Sequence, residues 1–416
     1  MSLVSCTHAL ILLSIVLLSD YFVVIPRLRV TTLALLIGLS TALLLYRRRR
    51  PGPRKPSAPG QSSTRTLLIG VAVLAGYTFC IDVLRAESLF GPVVALVSTI
   101  AVVSMLPLFE RDSGLNTLRW FRITMAVSLA FALLQAAGVA ITLPALLPLV
   151  GPITADPPIN SLSAHSRASG ATTNTVKFGL EVSALLAISF FAYVEKSSLA
   201  RIIWITACFT TLLATQLRAA IFATPICLGL AQLWLAPAAR RGWGRTIPLF
   251  LAGLLLGGLW LGSSTSRFSY LLKEVDAGDT HRFTVNLNLA EAVLETSPWI
   301  GIPPKDAWEL YLQYGDQKIY RFDPNAETPT HHNQVGYYLR NYGLIGVALL
   351  LLVYILAFRK ALAAAAPWTR CTIVAILLID LISSFAHNNK LLASPLLWIL
   401  LACAREVPAG QSRVLP

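Results

Sequence analysis

Apolar runs long enough to cross a bilayer dominate this sequence, separated by short polar or basic connectors and by one long polar segment. A membrane-crossing helix needs about 20 mostly apolar residues. About twelve runs approach that length: residues 8–25, 30–46, 66–84, 88–108, 121–142, 178–194, 202–216, 219–236, 246–262, 335–357, 371–386 and 391–404. The pattern predicts an all-α polytopic membrane protein. Residues 1–262 would hold the first nine helices, 263–334 a helical cap, and 335–416 the last three helices and a tail.

The connectors carry an orientation signal, because basic residues gather on the cytoplasmic side of a membrane protein. The block Arg47-Arg48-Arg49-Arg50-Pro51-Gly52-Pro53-Arg54-Lys55 is the strongest of these. Arg111, Arg119 and Arg122, then Lys196 and Arg201, then Arg240, Arg241 and Arg245, then Arg359, Lys360 and Arg370 mark later cytoplasmic turns. The alternation closes with both termini in the cytoplasm and the polar stretches 154–177 and 263–333 outside.

The long segment differs from its surroundings in charge. It holds ten of the 20 acids and six bases, Arg267, Lys273, Arg282, Lys305, Lys318 and Arg321, for a net charge of −4 in a chain of +14. Within it, Val285, Leu289, Ala292 and Val293 share one stripe of a helix that stops near Pro298. A second helix over 306–314 would start with Asp306 as N-cap and stop at Gly315. The apolar turn Pro298-Trp299-Ile300-Gly301-Ile302-Pro303-Pro304 reads as a rigid return of the chain to the membrane surface.

Composition agrees with the pattern: 55% hydrophobic residues, 13% charged residues and a mean hydropathy of +0.66. Soluble domains carry about 25% charged residues. The positive charge lies in the connectors, so it calls for no nucleic-acid partner. Cys6, Cys80, Cys208, Cys227, Cys371 and Cys403 lie in or beside apolar runs without CxxC spacing, as small buried residues do. The first apolar run lacks a basic leader and a cleavage site, which predicts a retained anchor.

Four groups stand out chemically. Arg218 sits between two apolar runs with almost no loop around it. A guanidinium there either snorkels to the headgroups or faces a polar cavity, where its fork matches the oxygens of a phosphate. Arg282, beside His281, opens the first cap helix. His331 and His332 stand in tandem directly before the tenth run. Histidine titrates near neutrality and can accept a proton from a hydroxyl. A metal pair would need further ligands at matched spacing, and HExxH is absent.

These groups carry a resemblance. Leu217-Arg218-Ala219-Ala220 between adjacent spans, Arg282-Phe283 followed by Pro298-Trp299-Ile300-Gly301-Ile302, and His332-Asn333 followed by Leu339 and Gly343-Leu344-Ile345-Gly346 resemble the O-antigen ligase/polymerase superfamily. Arg167-Ala168-Ser169-Gly170-Ala171-Thr172-Thr173-Asn174 is a weaker match to that family's Arg-Gly-x-Asn stretch. Two positions depart from the pattern. The family's Ser-Arg-Gly is Leu217-Arg218-Ala219, and Asn341, flanked by Arg340, stands where an acid is common.

The resemblance implies a metal-independent glycosyltransferase without a cofactor, in the bacterial inner membrane, with its site on the periplasmic face. The donor would be an O-antigen chain on undecaprenyl diphosphate and the acceptor a lipid A-core sugar. His332 would be the general base. Arg218, Arg282, Arg167, Asn333, Arg340 and His331 would surround the substrates. An O-antigen polymerase and a protein O-oligosaccharyltransferase share this donor. A lipid or glycan transporter is the alternative from another class, drawing on Asp380 in mid-run and on Asp20 and Asp82 near run ends.

Overall fold

The computed structural model describes residues 3–17, 21–25, 28–31, 61–86, 88–110, 114–139, 141, 146, 150–152, 168–171, 174–191, 198–215, 217–235, 281–303, 306, 309, 333–386 and 394–404. In chain order they form α1 (Leu3–Leu17), β1 (Tyr21–Ile25), β2 (Leu28–Thr31), α2 (Gln61–Arg85), α3 (Phe90–Val103), α4 (Met105–Phe109) and α5 (Gly114–Ala136). Then come β3 (Val150–Pro152), α6 (Thr175–Phe191), α7 (Ser198–Ala214), α8 (Arg218–Leu235), α9 (His281–Thr296), α10 (Gln334–Leu362), α11 (Pro367–Ala386) and α12 (Pro395–Ala402). The fold is helical, as the hydrophobic pattern predicts. Among the described residues five segments are long and apolar enough to cross a membrane: Ser63–Arg85, Phe90–Phe109, Asn116–Ala136, Gln334–Leu362 and Pro367–Phe385. Run 246–262, most of run 30–46 and most of the expected cap, including the helix expected over 306–314, lie outside the described residues.

One small sheet departs from the all-α expectation. The first run, expected to be helical over 8–25, ends its helix at Leu17. β1 then pairs antiparallel with β2, Val23 opposite Val30, and with β3, Val23 opposite Val150. The cause is local: Tyr21-Phe22-Val23-Val24-Ile25 is an aromatic and β-branched run that favours strand, and Pro26 opposes a helix continuing through it.

A second departure shapes the junction of α2, α9 and α10. The sequence predicts one continuous tenth span, but α10 is broken at Gly343, whose φ is 63° and ψ −164°. The Tyr354 hydroxyl lies 3.4 Å from Gln334 Oε1 although the two are 20 residues apart. A straight helix would separate them by about 30 Å. The element is therefore a hairpin of two helices, a short arm (334–342) folded back along a long arm (344–362). Gly346 makes room for the return: a Cβ there would overlap the Cβ of Tyr342 and approach the carbonyl of Tyr338. The long arm alone spans about 28 Å, close to the thickness of a bilayer core.

At one end of the bundle, the buried ammonium of Lys360 pairs with Glu110 at 2.9 Å, accepted also by Thr64 Oγ1 at 2.7 Å and the Ala404 carbonyl at 3.3 Å. This joins α10, α4, α2 and the chain after α12. His8 stacks on Phe109 near the same end, with ring centroids 4.2 Å apart. α1 continues to Ile15, whose carbonyl accepts from Lys177 Nζ at 2.9 Å. Lys177 lies in the first turn of α6, capped by Asn174, whose side chain accepts from the amides of Val176 and Lys177. α8 runs parallel to α6, since Gly179 meets Leu217 and Ser183 accepts from Thr224 at 2.9 Å. Arg218 therefore opens α8 beside the start of α6.

Two substitutions test these supports. Gly343→Ala combines a left-handed φ with overlap on the Trp299 carbonyl and is expected to cost about 2–4 kcal/mol. Gly76→Ala, with open space around it, is expected to be neutral or slightly stabilising, and thermal unfolding in detergent compares the two. Lys360→Ala strands Glu110 and is expected to cost about 2–3 kcal/mol, whereas Lys360→Met with Glu110→Gln recovers most of that loss in the same assay.

Candidate functional site

A helix break inside apolar surroundings exposes orphan backbone groups, and their partners define the neighbourhood of the candidate site. At the end of the short arm, the Arg340 carbonyl accepts from the Ile302 amide at 2.6 Å. The Asn341 carbonyl accepts from Arg85 Nη1 at 2.5 Å and the Tyr342 carbonyl from the Tyr77 hydroxyl at 2.8 Å. At the start of the long arm, the Leu344 amide donates to Pro298 O at 2.7 Å and the Ile345 amide to Trp299 O at 3.4 Å. The turn after α9 is thus built into the break, not merely laid on a membrane surface as its composition suggested. Gly301, with φ 76°, and Gly343 face each other. A Cβ on Gly301 would overlap the Arg340 carbonyl, and one on Gly343 the Trp299 carbonyl.

The guanidinium of Arg85 is the hub of this junction. Besides Asn341, it donates through Nη2 to the carbonyls of Ile300 and Gly301, both at 2.8 Å, and through Nη1 to Ile302 at 3.5 Å. Asp82, one turn earlier on α2, accepts from the Tyr342 hydroxyl at 3.1 Å. The sequence reading passed over Arg85, which looks like an ordinary cation at the end of a span. Its only sequence signal is its place beside Tyr77 and Asp82 on one helix, a chain of polar groups at the end of an otherwise apolar run.

The fold-back sends the start of the short arm toward a buried polar cluster. Asn333 is the N-cap, its side-chain oxygen accepting from the Gly336 amide. Gln334 next to it is fully buried, and its Oε1 accepts from Ser384 Oγ at 2.8 Å. Tyr354 donates to Asp380 Oδ2 at 2.7 Å and lies 3.0 Å from Ser384 Oγ. Asp380 therefore anchors the short arm through the long arm and α11. On sequence it had been the chief pointer to a transporter.

α9 packs beside the short arm. Short-arm residue Leu339 packs on Ala292 and Val293 of α9 with Ile302. Both helices run into the same junction, so Arg282 and Asn333 begin them on the same side of it. α11 follows α10 from the Lys360 end and is antiparallel to α8. Ile379 of α11 packs on Ala223 and Cys227. The stretch matched around Arg167 is described from Ala168 onward. It is tied to α7 and α5, with the Ala168 amide donating to Ala214 O at 3.1 Å and the Ser169 and Gly170 amides to Gln135 Oε1 at 3.0 and 3.1 Å.

For the predicted site residues the outcome is uneven. Arg218 and Arg282 lie in the first turns of α8 and α9, and Asn333 caps the short arm. Arg340 is buried, with a relative exposure of 7%, and its carbonyl serves the junction. Arg167, His331 and His332 lie outside the described residues. Among the described residues no cluster of three or more His, Cys, Asp or Glu is arranged to hold a metal ion. No protein-family model and no curated protein matches the chain.

Proposed function

We propose that this protein is a periplasm-facing glycosyltransferase of the inner membrane, an O-antigen ligase. It would transfer an O-antigen chain from undecaprenyl diphosphate to a lipid A-core sugar, within a frame of about twelve spans and an outer cap. The observation that carries the proposal is the fold-back at Gly343. It gives a physical role to each recognisable residue of the Gly343-Leu344-Ile345-Gly346 motif: reversal at the first glycine, close return at the second, and amide donation by Leu344 and Ile345 to the turn. In this reading the Asn333 cap, the start of α8 at Arg218 and the start of α9 at Arg282 would line one pocket. Helix starts carry partial positive charge, and together with two guanidinium groups they suit an anionic diphosphate.

The chemistry is a single in-line displacement. His332 takes the proton of the acceptor hydroxyl as its oxygen attacks the anomeric carbon of the donor. The bond from that carbon to the diphosphate oxygen breaks, and its electron pair leaves with the diphosphate. Arg218 and Arg282 stabilise the charge gathering there, so a general acid is not required. The anomeric configuration inverts. Arg167, His331 and Arg340 add positive charge around the substrates, and Asn333 fixes the start of the arm.

His332→Ala is expected to insert and fold normally yet lose transfer in a purified assay with lipid-linked donor; normal turnover would remove the general base from the mechanism. Activity is expected to survive strong chelators, and strict metal dependence would count against charge stabilisation by arginine. Deletion of the gene separates the acceptors: loss of a ligase leaves unsubstituted core and accumulated lipid-linked polymer on a lipopolysaccharide gel, whereas loss of a polymerase leaves core bearing one repeat.

A further inference from the structure

We infer that Arg85 is a positioning residue for this transfer: from α2 it sets the angle of the break in α10 and thereby the place of the short arm that begins after His332. The inference rests on the glycosyltransferase proposal for its chemistry, but on the junction alone for its geometry. Both nitrogens of the Arg85 fork that donate are engaged with main-chain carbonyls: Nη1 with Asn341 and Ile302, Nη2 with Ile300 and Gly301. These carbonyls belong to two separate pieces of chain, the turn after α9 and the end of the short arm. One planar cation therefore fixes their separation and mutual orientation, which a lysine's single ammonium on a flexible stem cannot do as well. Its charge also lies at the negative end of the short-arm dipole, which favours this helix end over continuation through Gly343.

The same face of α2 adds two further ties. Tyr77 donates to the Tyr342 carbonyl at 2.8 Å and lies 3.4 Å from the Trp299 carbonyl, and Asp82 accepts from the Tyr342 hydroxyl. At its far end the short arm meets α11 through Gln334 and Ser384. A rigid arm held at both ends transmits a change at the Arg85 end to the Gln334 end. The short arm is about 12 Å long, so a tilt of a few degrees at the break moves its start by about 1 Å, enough to misplace a general base.

The test reads geometry and turnover separately. Gln334→Cys and Ser384→Cys are introduced together, and the oxidative cross-link between the two positions is quantified by mass spectrometry of the joined peptides. Adding Arg85→Ala is expected to lower the cross-link yield several-fold, with Arg85→Lys in between. In the otherwise unaltered enzyme, Arg85→Ala is expected to lower kcat by about 100-fold. The KM for lipid-linked donor should stay within about twofold, because no donor contact is removed. A cross-link yield and kcat at the parent level overturn the inference, as does a raised KM with unchanged kcat, which would make Arg85 a donor-binding group. If Arg85→Ala does not give a monodisperse protein, Tyr77→Phe, which keeps the ring and removes one tie to the junction, is read on the same scales. A protein whose cross-link depends on Arg85 but which fails to transfer any glycan keeps the geometric role and sinks the glycosyltransferase proposal.

Discussion

Everything at the junction of α2, α9 and α10 depends on satisfying the backbone where α10 breaks. Water satisfies such groups at an ordinary surface helix end, but it is scarce at the margin of a bilayer. Here the protein supplies the partners itself. The carbonyls of Arg340, Asn341 and Tyr342 take donors from the turn and from α2, and the amides of Leu344 and Ile345 take acceptors from Pro298 and Trp299. The mutual dependence is steric as well as polar. Two glycines in left-handed or near left-handed geometry, Gly301 and Gly343, approach so closely that neither admits a side chain. The turn cannot hold its shape without the break, nor the break without the turn.

A good part of this was legible in the sequence, and the rest was not for identifiable reasons. The apolar runs that became α2, α3, α5, α10 and α11 announced themselves by length and composition, because lipid imposes both. The stripe Leu289, Ala292 and Val293 packs inward as its spacing implies. The reversal at Gly343 was hidden, because a glycine within an apolar run is tolerated in a straight membrane helix and carries no sign of its φ. Arg85 was hidden for the opposite reason. A cation at a span terminus is so common in membrane proteins that its partners, main-chain carbonyls more than 200 residues away, leave no trace in the local pattern. The strands at 21–31 were masked by apolar content that suits a helix or a strand equally; only the β-branched run and Pro26 favoured the strand.

The polar cluster beneath Asn333 changes the meaning of Asp380. A buried carboxyl in the middle of an apolar helix is costly, and it survives by hydrogen bonding and by function. In this fold its nearest partner is Tyr354, and through Tyr354 and Ser384 it reaches Gln334. That wiring gives the carboxyl a stationary task, holding a returning helix against its own parent helix.

The small sheet has a consequence for how the chain is made. β1 forms hydrogen bonds on both sides, with β2 directly after it and with β3 at Val150–Pro152. A ribosome adding about 5–20 residues per second needs on the order of ten seconds to travel from the first strand to the third. For that interval one edge of β1 has no native neighbour and is open to pairing with any other extended segment nearby. The first helix and its strand must therefore wait, half finished, while α2 through α5 emerge, and the N-terminal region closes only once the fifth helix has passed through.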